Sequence, residues 1–146
     1  MIVPGWDTAQ TFEDPELERS PFELGLAWNV DLDREEDFVG KQALLKERAG
    51  GSRFALRGFV VEAECDLLDG AQLFADVDGH DVQVGTLPSV SWSHDPARWI
   101  GLASVRTEHA ALTDCYVVSG NERQECRIVA LPFVQIDRRR QVPAPK

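Results

Sequence analysis

The stretch SPFELGLAWNVDLDREEDFVGKQALL, residues 20–45, carries the densest local signals in this chain. Ser20 is a favourable helix N-cap, and Pro21 occupies the first helical position, where its fixed φ is tolerated. Glu23 follows the cap by three residues, which is the spacing of a capping box. Gly25 ends this helix after about one turn. The capping box by itself is a sufficient reason for a glutamate at position 23.

Two more elements are predicted within the same stretch. Polar and apolar residues alternate over Ala27–Leu32, which predicts a half-buried strand with Trp28 as a core or interdomain aromatic residue. A charged loop follows, and Gly40–Glu47 then has the pattern of a short helix that ends near Gly50. Residues 1–51 are therefore predicted to form a short α/β lead-in with one or two short helices.

The remainder of the chain is predicted to be mainly β. Short runs rich in Val, Leu, Ile and Phe recur at intervals of about 8–12 residues, with Gly, Pro, Asn or Asp between them. This pattern is typical of a small antiparallel barrel or of a sandwich, and the spacing alone does not separate the two. The predicted strands span residues 53–62, 71–75, 81–93, 99–105, 112–118 and 123–131.

The cysteines give a prediction about strand register. The chain has three, Cys65, Cys115 and Cys126, and an odd number argues against a disulfide framework. If Ser119–Glu122 is a two-residue hairpin turn, Cys115 and Cys126 lie directly opposite each other. Two interpretations remain open: a pair of small reduced core residues, or a pair of thiols close enough to oxidise.

Charge and composition exclude several classes of partner. The 146 residues carry a formal net charge of −10, which disfavours nucleic acid and anionic membranes as partners. No apolar run is long enough for a membrane span, and no signal peptide is recognisable, so we expect a cytoplasmic location. No residue spacing typical of a metal site occurs, so we expect none.

Three segments, in order along the chain, resemble the folate-dependent aminomethyltransferases related to the T-protein of the glycine cleavage system. The first is the stretch quoted above, which follows the family pattern TP-x-E-x-GL-x-W-x-V-x-L with a later DF-x-G-x-x-AL. The second is GTLPSVSWSHDPARWIGLASV, residues 85–105, and the third is LPFV, residues 131–134. The resemblance implies a jelly-roll-like or Greek-key-like antiparallel barrel over residues 52–137. Residues 1–51 would be the end of the folate-binding part, and 138–146 a basic, proline-rich tail.

The resemblance also implies a function. Family members transfer an aminomethyl or methyl group to tetrahydrofolate, and in the T-proteins an arginine in the loop after the Trp28 segment contacts the glutamate tail of the folate. Arg34 matches that position, and Arg138 matches a second tail contact, although Arg139 or Arg140 fits equally well there. A guanidinium suits this role because it grips a carboxylate with two parallel hydrogen bonds.

The family's catalytic residues belong to an N-terminal half that has no counterpart in these 146 residues, so we identify no catalytic residue. Met1 would then correspond to an interior position of the family. Expected partners are that N-terminal half in trans, or a second copy in a homodimer. The alternative function is a stand-alone β-barrel that serves as an interaction module or is a remnant without catalysis.

Overall fold

The computed structural model describes residues 18–62, 70–94, 97–119 and 122–133, without the side chain of Ser119. Within these ranges the chain contains one α-helix, α1, over Lys41–Gly50. Short 3-10 turns lie at Ala27–Asn29 and Thr107–His109. The strands are β1 Phe54–Val61, β2 Ala71–Val77, β3 His80–His94, β4 Ala97–Arg106, β5 Asp114–Ser119 and β6 Glu122–Val129.

The strands close into an antiparallel barrel in the order β1-β4-β3-β2-β5-β6. Strands β2, β3 and β4 form a meander, and β1 lies beside β4 rather than beside β2. Such a return connection is the Greek-key arrangement. Pairing of β6 with β1 completes the closure and leaves no long sheet edge exposed. The prediction of a mainly β, antiparallel barrel with few short helices is confirmed.

The β2–β3 hairpin follows directly from two turn residues. Val77 pairs with His80, and Asp78 and Gly79 between them have φ of 55° and 80°. Two positive φ values in a two-residue loop match the right-handed twist of the flanking strands, and Asp-Gly is among the dipeptides that adopt them most readily. The Asp76 carboxylate accepts a hydrogen bond from the Gly79 amide at 2.8 Å, which further stabilises the turn.

Strand β3 pairs with both β2 and β4, and each pairing contains one irregular position. The β2 register shifts between Leu73 and Phe74, and the β4 register shifts between Thr86 and Ser89. Pro88 lies inside the second shift, where its missing amide leaves no ladder hydrogen bond unmade. Bulges of this kind increase the local bend and twist that a small closed barrel requires.

The core lies inside the barrel and follows the period-two alternation of the strands. Pairs two residues apart on one strand are both buried, as at Phe59 and Val61 or at Cys115 and Val117. Gly101 faces Phe59 across β1 and β4, and its missing side chain leaves space for the phenyl ring. The central cluster comprises Phe59, Val61, Leu73, Ala75, Val84, Leu87, Ala103, Val105, Cys115, Val117, Cys126 and Ile128.

Two elements of the lead-in differ from the prediction. Residues 21–25, predicted as a one-turn helix, form a hydrogen-bonded turn that is not a helix. The strand predicted over Ala27–Leu32 is absent, and Ala27–Asn29 is instead a 3-10 turn. Trp28 is 81% exposed, so its prediction as a core aromatic residue is wrong for the described chain. Leu32 is buried, which means that one of the three alternating apolar residues does reach the interior. Alternation over six residues is a weak signal when no neighbouring strand is available to complete the hydrogen bonds.

Candidate functional site

Arg34, the predicted contact for a folate tail, lies in the exposed loop between the 3-10 turn and α1. Its side chain is 50% exposed, and its guanidinium forms a 3.2 Å ion pair with Glu36. The Lys41 ammonium donates a 2.6 Å hydrogen bond to the Arg34 carbonyl, which ties the loop to the start of α1. The backbone of Arg34 is therefore fixed by Lys41, while its guanidinium is half exposed to solvent.

Arg138 and its alternatives Arg139 and Arg140 lie outside the described residues. Cys65 and the lead-in before residue 18 also lie outside them. Their predicted roles remain predictions.

A small cleft of about 340 Å³ adjoins the Arg34 loop. Asp33 and Arg48 on its wall form a 3.3 Å ion pair that links the loop to α1. The apolar part of the wall comes from Phe22 and Leu32. This mixture of a charged rim and an apolar floor is common in small-ligand clefts.

A larger cleft of about 780 Å³ lies between the lead-in, α1 and the start of β1. Arg19, Lys46 and Arg53 contribute positive charges to its wall, and Glu18 and Glu47 contribute negative ones. The Glu47 carboxylate accepts hydrogen bonds from the hydroxyls of Ser20 and Ser52. The cleft is thus lined by charges of both signs that are already paired or hydrogen-bonded in part.

Glu23 is the buried charge of this cleft, with only 3% of the residue exposed. Its Oε2 accepts from the Ser20 amide at 3.0 Å, and the Ser20 hydroxyl accepts from the Glu23 amide at 3.2 Å. These two bonds confirm the predicted capping box. The other oxygen, Oε1, accepts from the amides of Arg53 and Phe54 at 3.1 and 3.2 Å and pairs with the Arg53 guanidinium at 3.4 Å.

The interpretation of Glu23 as a capping residue alone is therefore incomplete. Half of its carboxylate satisfies the first amides of β1, 30 residues along the chain. Sequence spacing identifies a capping box because both partners are local, whereas no local pattern indicates which distant amides a carboxylate will reach. Glu23 and Arg53 together fasten the lead-in to the barrel.

Phe54, at the start of β1, is surrounded by guanidinium groups. Arg19 lies 3.7 Å from the ring centroid, and Arg53 and Arg106 each lie 5.7 Å from it. Arg19 also donates to the Ser104 hydroxyl at 3.0 Å. Cation–π contacts of this kind hold the cationic side chains against the barrel wall. Two of the three arginines, Arg19 and Arg53, also line the larger cleft.

The lead-in exposes apolar side chains that the barrel does not cover. Trp28 is 81% exposed and Val39 is fully exposed. No residue of α1 is fully buried, and its apolar residues Leu44 and Leu45 are half-buried. An amphipathic helix normally buries one face, so a helix without a buried residue is available for a further contact.

Within the described ranges, no group of three or more His, Cys, Asp or Glu side chains is arranged to hold a metal ion. Among the same residues, no helix has the length and apolar character needed to cross a bilayer.

Residues 55–135 match the family model described as the glycine cleavage T-protein C-terminal barrel domain. The match spans more than half of the chain and includes all six strands except the first residue of β1. The chain belongs to the glycine cleavage T-protein family. The lead-in and α1 precede the matched barrel domain of this family.

Individual relatives agree with this family assignment. The aminomethyltransferase of Ralstonia pickettii is 36% identical over 126 residues, which cover 84% of this chain and 31% of the relative. The aminomethyltransferase of Nitrosomonas eutropha is 32% identical over 123 residues, covering 84% of this chain and 33% of the relative. This T-protein family chain therefore spans about a third of the length of the curated relatives it matches.

A solved structure shows the same fold. The glycine cleavage system aminomethyltransferase T from Bartonella henselae superposes with a TM-score of 0.66 at 19% identity, covering 79% of this chain and 32% of that one. At this level of identity the likeness concerns the fold, which agrees with the closed T-protein barrel described above.

Proposed function

We propose that this chain closes one side of a tetrahydrofolate site in a folate-dependent aminomethyltransferase or methyltransferase. The observation that carries the proposal is the match of residues 55–135 to the C-terminal barrel domain of the T-protein family. The curated relatives named above are aminomethyltransferases about three times as long. Transfer of the one-carbon unit would then need residues beyond these 146, and we expect no turnover from this chain alone.

Arg34 is the described residue that we assign to the folate. Its side chain is half exposed and is paired with an exposed partner, Glu36, rather than with a buried one. Two nitrogens of the Arg34 guanidinium contact one oxygen of Glu36, and a glutamate carboxylate of the folate tail would replace Glu36 with a bidentate pair. Exchange of one exposed carboxylate for another costs little, because exposed ion pairs contribute at most about 1 kcal/mol.

The donor set of this region fits a carboxylate better than it fits a pterin ring. Arg34 offers a planar guanidinium group, and Lys41 holds the loop through its hydrogen bond to the Arg34 carbonyl. Tetrahydrofolate would accept the one-carbon unit at its reactive ring. The role of this chain would be to hold and orient the opposite end of the cofactor.

The test is a calorimetric titration of tetrahydrofolate into the purified chain at low and at moderate salt. The key variant is Arg34→Ala, and Arg48→Ala is the matched control. Both arginines belong to the lead-in, both side chains are 50% exposed, and each forms an ion pair with a nearby carboxylate. We expect weak binding that salt reduces further, that Arg34→Ala lowers several-fold, and that Arg48→Ala leaves nearly unchanged.

Two outcomes would count against parts of this proposal. Binding that is equal in Arg34→Ala and in the unmodified chain would remove Arg34 from the site. An absence of heat at millimolar ligand would mean that the chain binds no folate by itself. The same titration on a complex with a separately expressed N-terminal part of a relative would then test whether the site forms only jointly.

The lead-in supports a docking role for the same family partner. Trp28, Val39 and the unburied helix α1 lie on the segment that immediately precedes the matched barrel domain. We propose that the N-terminal folate-binding part, absent from these 146 residues, covers this segment. Pull-down of the N-terminal part by the chain, weakened in Trp28→Ser and unchanged in Val118→Ser, is the expected result.

The second candidate function, a barrel that acts as an interaction module without folate, draws on the same exposed residues. It differs in its outcome: it predicts that Trp28→Ser weakens a partner contact while tetrahydrofolate produces no heat with or without the N-terminal part.

A further inference from the structure

The β5–β6 hairpin contains a pair of facing thiols inside the barrel. Cys115 pairs with Cys126 in the ladder, and their sulfur atoms lie 3.2 Å apart. Both residues are buried, at 3% and 5% exposure, and no disulfide joins them. The hairpin register that the sequence predicts is therefore present, and it brings the two sulfurs into contact.

We propose that Cys115 and Cys126 form an oxidation site, in which a hydroperoxide converts the two thiols into a disulfide that bridges β5 and β6. This inference goes beyond the proposed folate function and does not depend on it. Directly opposed residues in an antiparallel pair have Cα atoms about 4.5–5.5 Å apart, within the range that a disulfide spans. The strands therefore need no shift of register for the bond to form.

The chemical step balances with hydrogen peroxide as the oxidant. One thiolate attacks a peroxide oxygen, the O–O bond breaks, and a sulfenic acid and one water form once the departing hydroxide is protonated. The second thiolate then attacks the sulfenic sulfur, the S–O bond breaks, and the departing hydroxide is protonated to a second water. Two thiols and one peroxide thus give one disulfide and two waters.

The oxidant would reach the buried thiols through local opening where the strand ladders are shortest. The pairing of β2 with β5 is limited to Leu73 with Val117 and Phe74 with Tyr116, so it stops before Cys115. The pairing of β1 with β6 runs from Gly58–Val129 to Val60–Arg127 and stops one residue before Cys126. Among the described strands, the two cysteines are therefore held across the hairpin but not by ladder bonds to the outer neighbours. Segments with few such bonds open locally at lower free energy than the core.

A bond at this place would join the two strands whose contacts to the rest of the barrel are fewest. It would fix the register between β5 and β6 and would oppose separation of these two strands from each other. A disulfide that closes the loop from Cys115 to Cys126 restricts the unfolded chain. The oxidised form should therefore melt several degrees higher than the reduced form.

The test is peptide mapping after oxidation of the folded chain. Reduced protein is freed of reductant, treated with hydrogen peroxide, denatured, alkylated and cleaved after Lys and Arg. Cleavage at Arg123 separates the two cysteines, so the disulfide appears as residues 107–123 linked to residues 124–127. Cys65 falls on a different peptide, residues 58–98, and serves as the internal control thiol.

We expect the linked peptides to predominate, with a loss of about 2 Da from the intact chain, reversal by dithiothreitol and a higher Tm. Cys65→Ser should keep the linked peptides, and Cys126→Ala should abolish them. Should Cys126→Ala fail to fold, the map of the unmodified chain still decides the question. Fully alkylated Cys115 and Cys126 after peroxide, links mainly to Cys65, or sulfinic acids in place of a link would each overturn the proposal.

Discussion

Glu23 shows how one side chain can serve two distant parts of a chain. One oxygen completes a capping box with Ser20, and the other accepts two β1 amides and the Arg53 guanidinium. Because the carboxylate is buried, no water could accept hydrogen bonds from these donors if the carboxylate were lost. Glu23 is therefore the residue whose loss would most directly detach the lead-in from the barrel.

We predict that Glu23→Gln lowers the free energy of unfolding by about 1–3 kcal/mol, since the new NH₂ group opposes N–H donors that an oxygen now accepts. Urea denaturation followed by circular dichroism measures the change. Glu36→Gln, at an exposed position of the same lead-in, is the control and should change stability by less than about 0.5 kcal/mol. Equal stability of the two variants would contradict the assigned role of Glu23.

Gly101 occupies an inward position of β4 where no side chain fits. A Cβ there would lie 2.0 Å from the Ser89 carbonyl oxygen and 2.4 Å from the Phe59 ring. We predict that Gly101→Ala destabilises the chain by about 1–3 kcal/mol or more through overpacking. Gly50→Ala, where a Cβ meets nothing within 4 Å, is the matched control in the same urea titration. A Gly101→Ala chain as stable as the control would mean that the strands part more easily than their packing indicates.

Tyr116 is the sole tyrosine of the chain, so its ionisation can be followed without interference. Burial raises the pKa of its phenol above the usual 10.0, and a hydrogen bond to the Asp81 carboxylate raises it further. Arg123, 3.4 Å above the ring centroid, acts in the opposite direction. Stability that depends on the neutral phenol is present below pH 10 and is lost as pH rises through the higher native pKa.

We predict that ultraviolet titration of the folded chain gives a higher tyrosine pKa than the same chain in urea. Asp81→Asn should move the native value down toward the unfolded one, because it removes the negative charge and replaces a carboxylate acceptor with a neutral amide. Asp78→Asn, in the adjacent turn, should leave it nearly unchanged. A native pKa at or below the unfolded one would contradict the described contacts of Tyr116.

At the scale of elements, α1 and the strands differ in how they are held. Helix α1 has no buried residue, and an isolated ten-residue helix is marginal in water. It depends on its ends: Gly40 and Gly51 both have positive φ, and the Gly51 amide donates to the Glu47 carbonyl at 2.7 Å. The barrel strands, in contrast, bury their alternate residues in a common core.

We predict that the amides of α1 exchange with deuterium at least tenfold faster than those in the centre of β1 and β4. Hydrogen-exchange mass spectrometry at neutral pH measures this order. Addition of the N-terminal part of a relative should slow α1 and leave the barrel centre unchanged. Protection of α1 equal to that of the barrel, in the chain alone, would contradict its description as unpartnered.

At the scale of the whole molecule, the exposed Trp28 and Val39 bear on assembly. In the absence of a partner, apolar side chains on the lead-in favour association between copies. We predict a concentration-dependent increase in sedimentation coefficient that the double variant Trp28→Ser, Val39→Ser reduces. Val118→Ser, which removes an exposed apolar residue from the barrel wall, is the control. An increase that persists in the double variant would place the contact elsewhere.

Much of the barrel was predictable because its signals are local. Strand positions follow from residues that alternate or cluster between turns, and the β5–β6 register follows from the length of one hairpin. Strand spacing could not distinguish a barrel from a sandwich, because the difference depends on whether β1 pairs with both β4 and β6. The candidate site was predictable in part: Arg34 has a sequence match, whereas the second role of Glu23 has no local signature.

The sequence by itself determined the approximate positions of the six barrel strands, the capping box at Ser20 and the facing of Cys115 and Cys126. Each of these depends on residues close in the chain, whose spacing sets which backbone groups meet. Only the tertiary structure decided that Trp28 stays in solvent, that Glu23 reaches the β1 amides and that Gly101 makes way for Phe59. Those outcomes depend on which distant surfaces come into contact, because burial is a property of the packed chain and not of any segment in it.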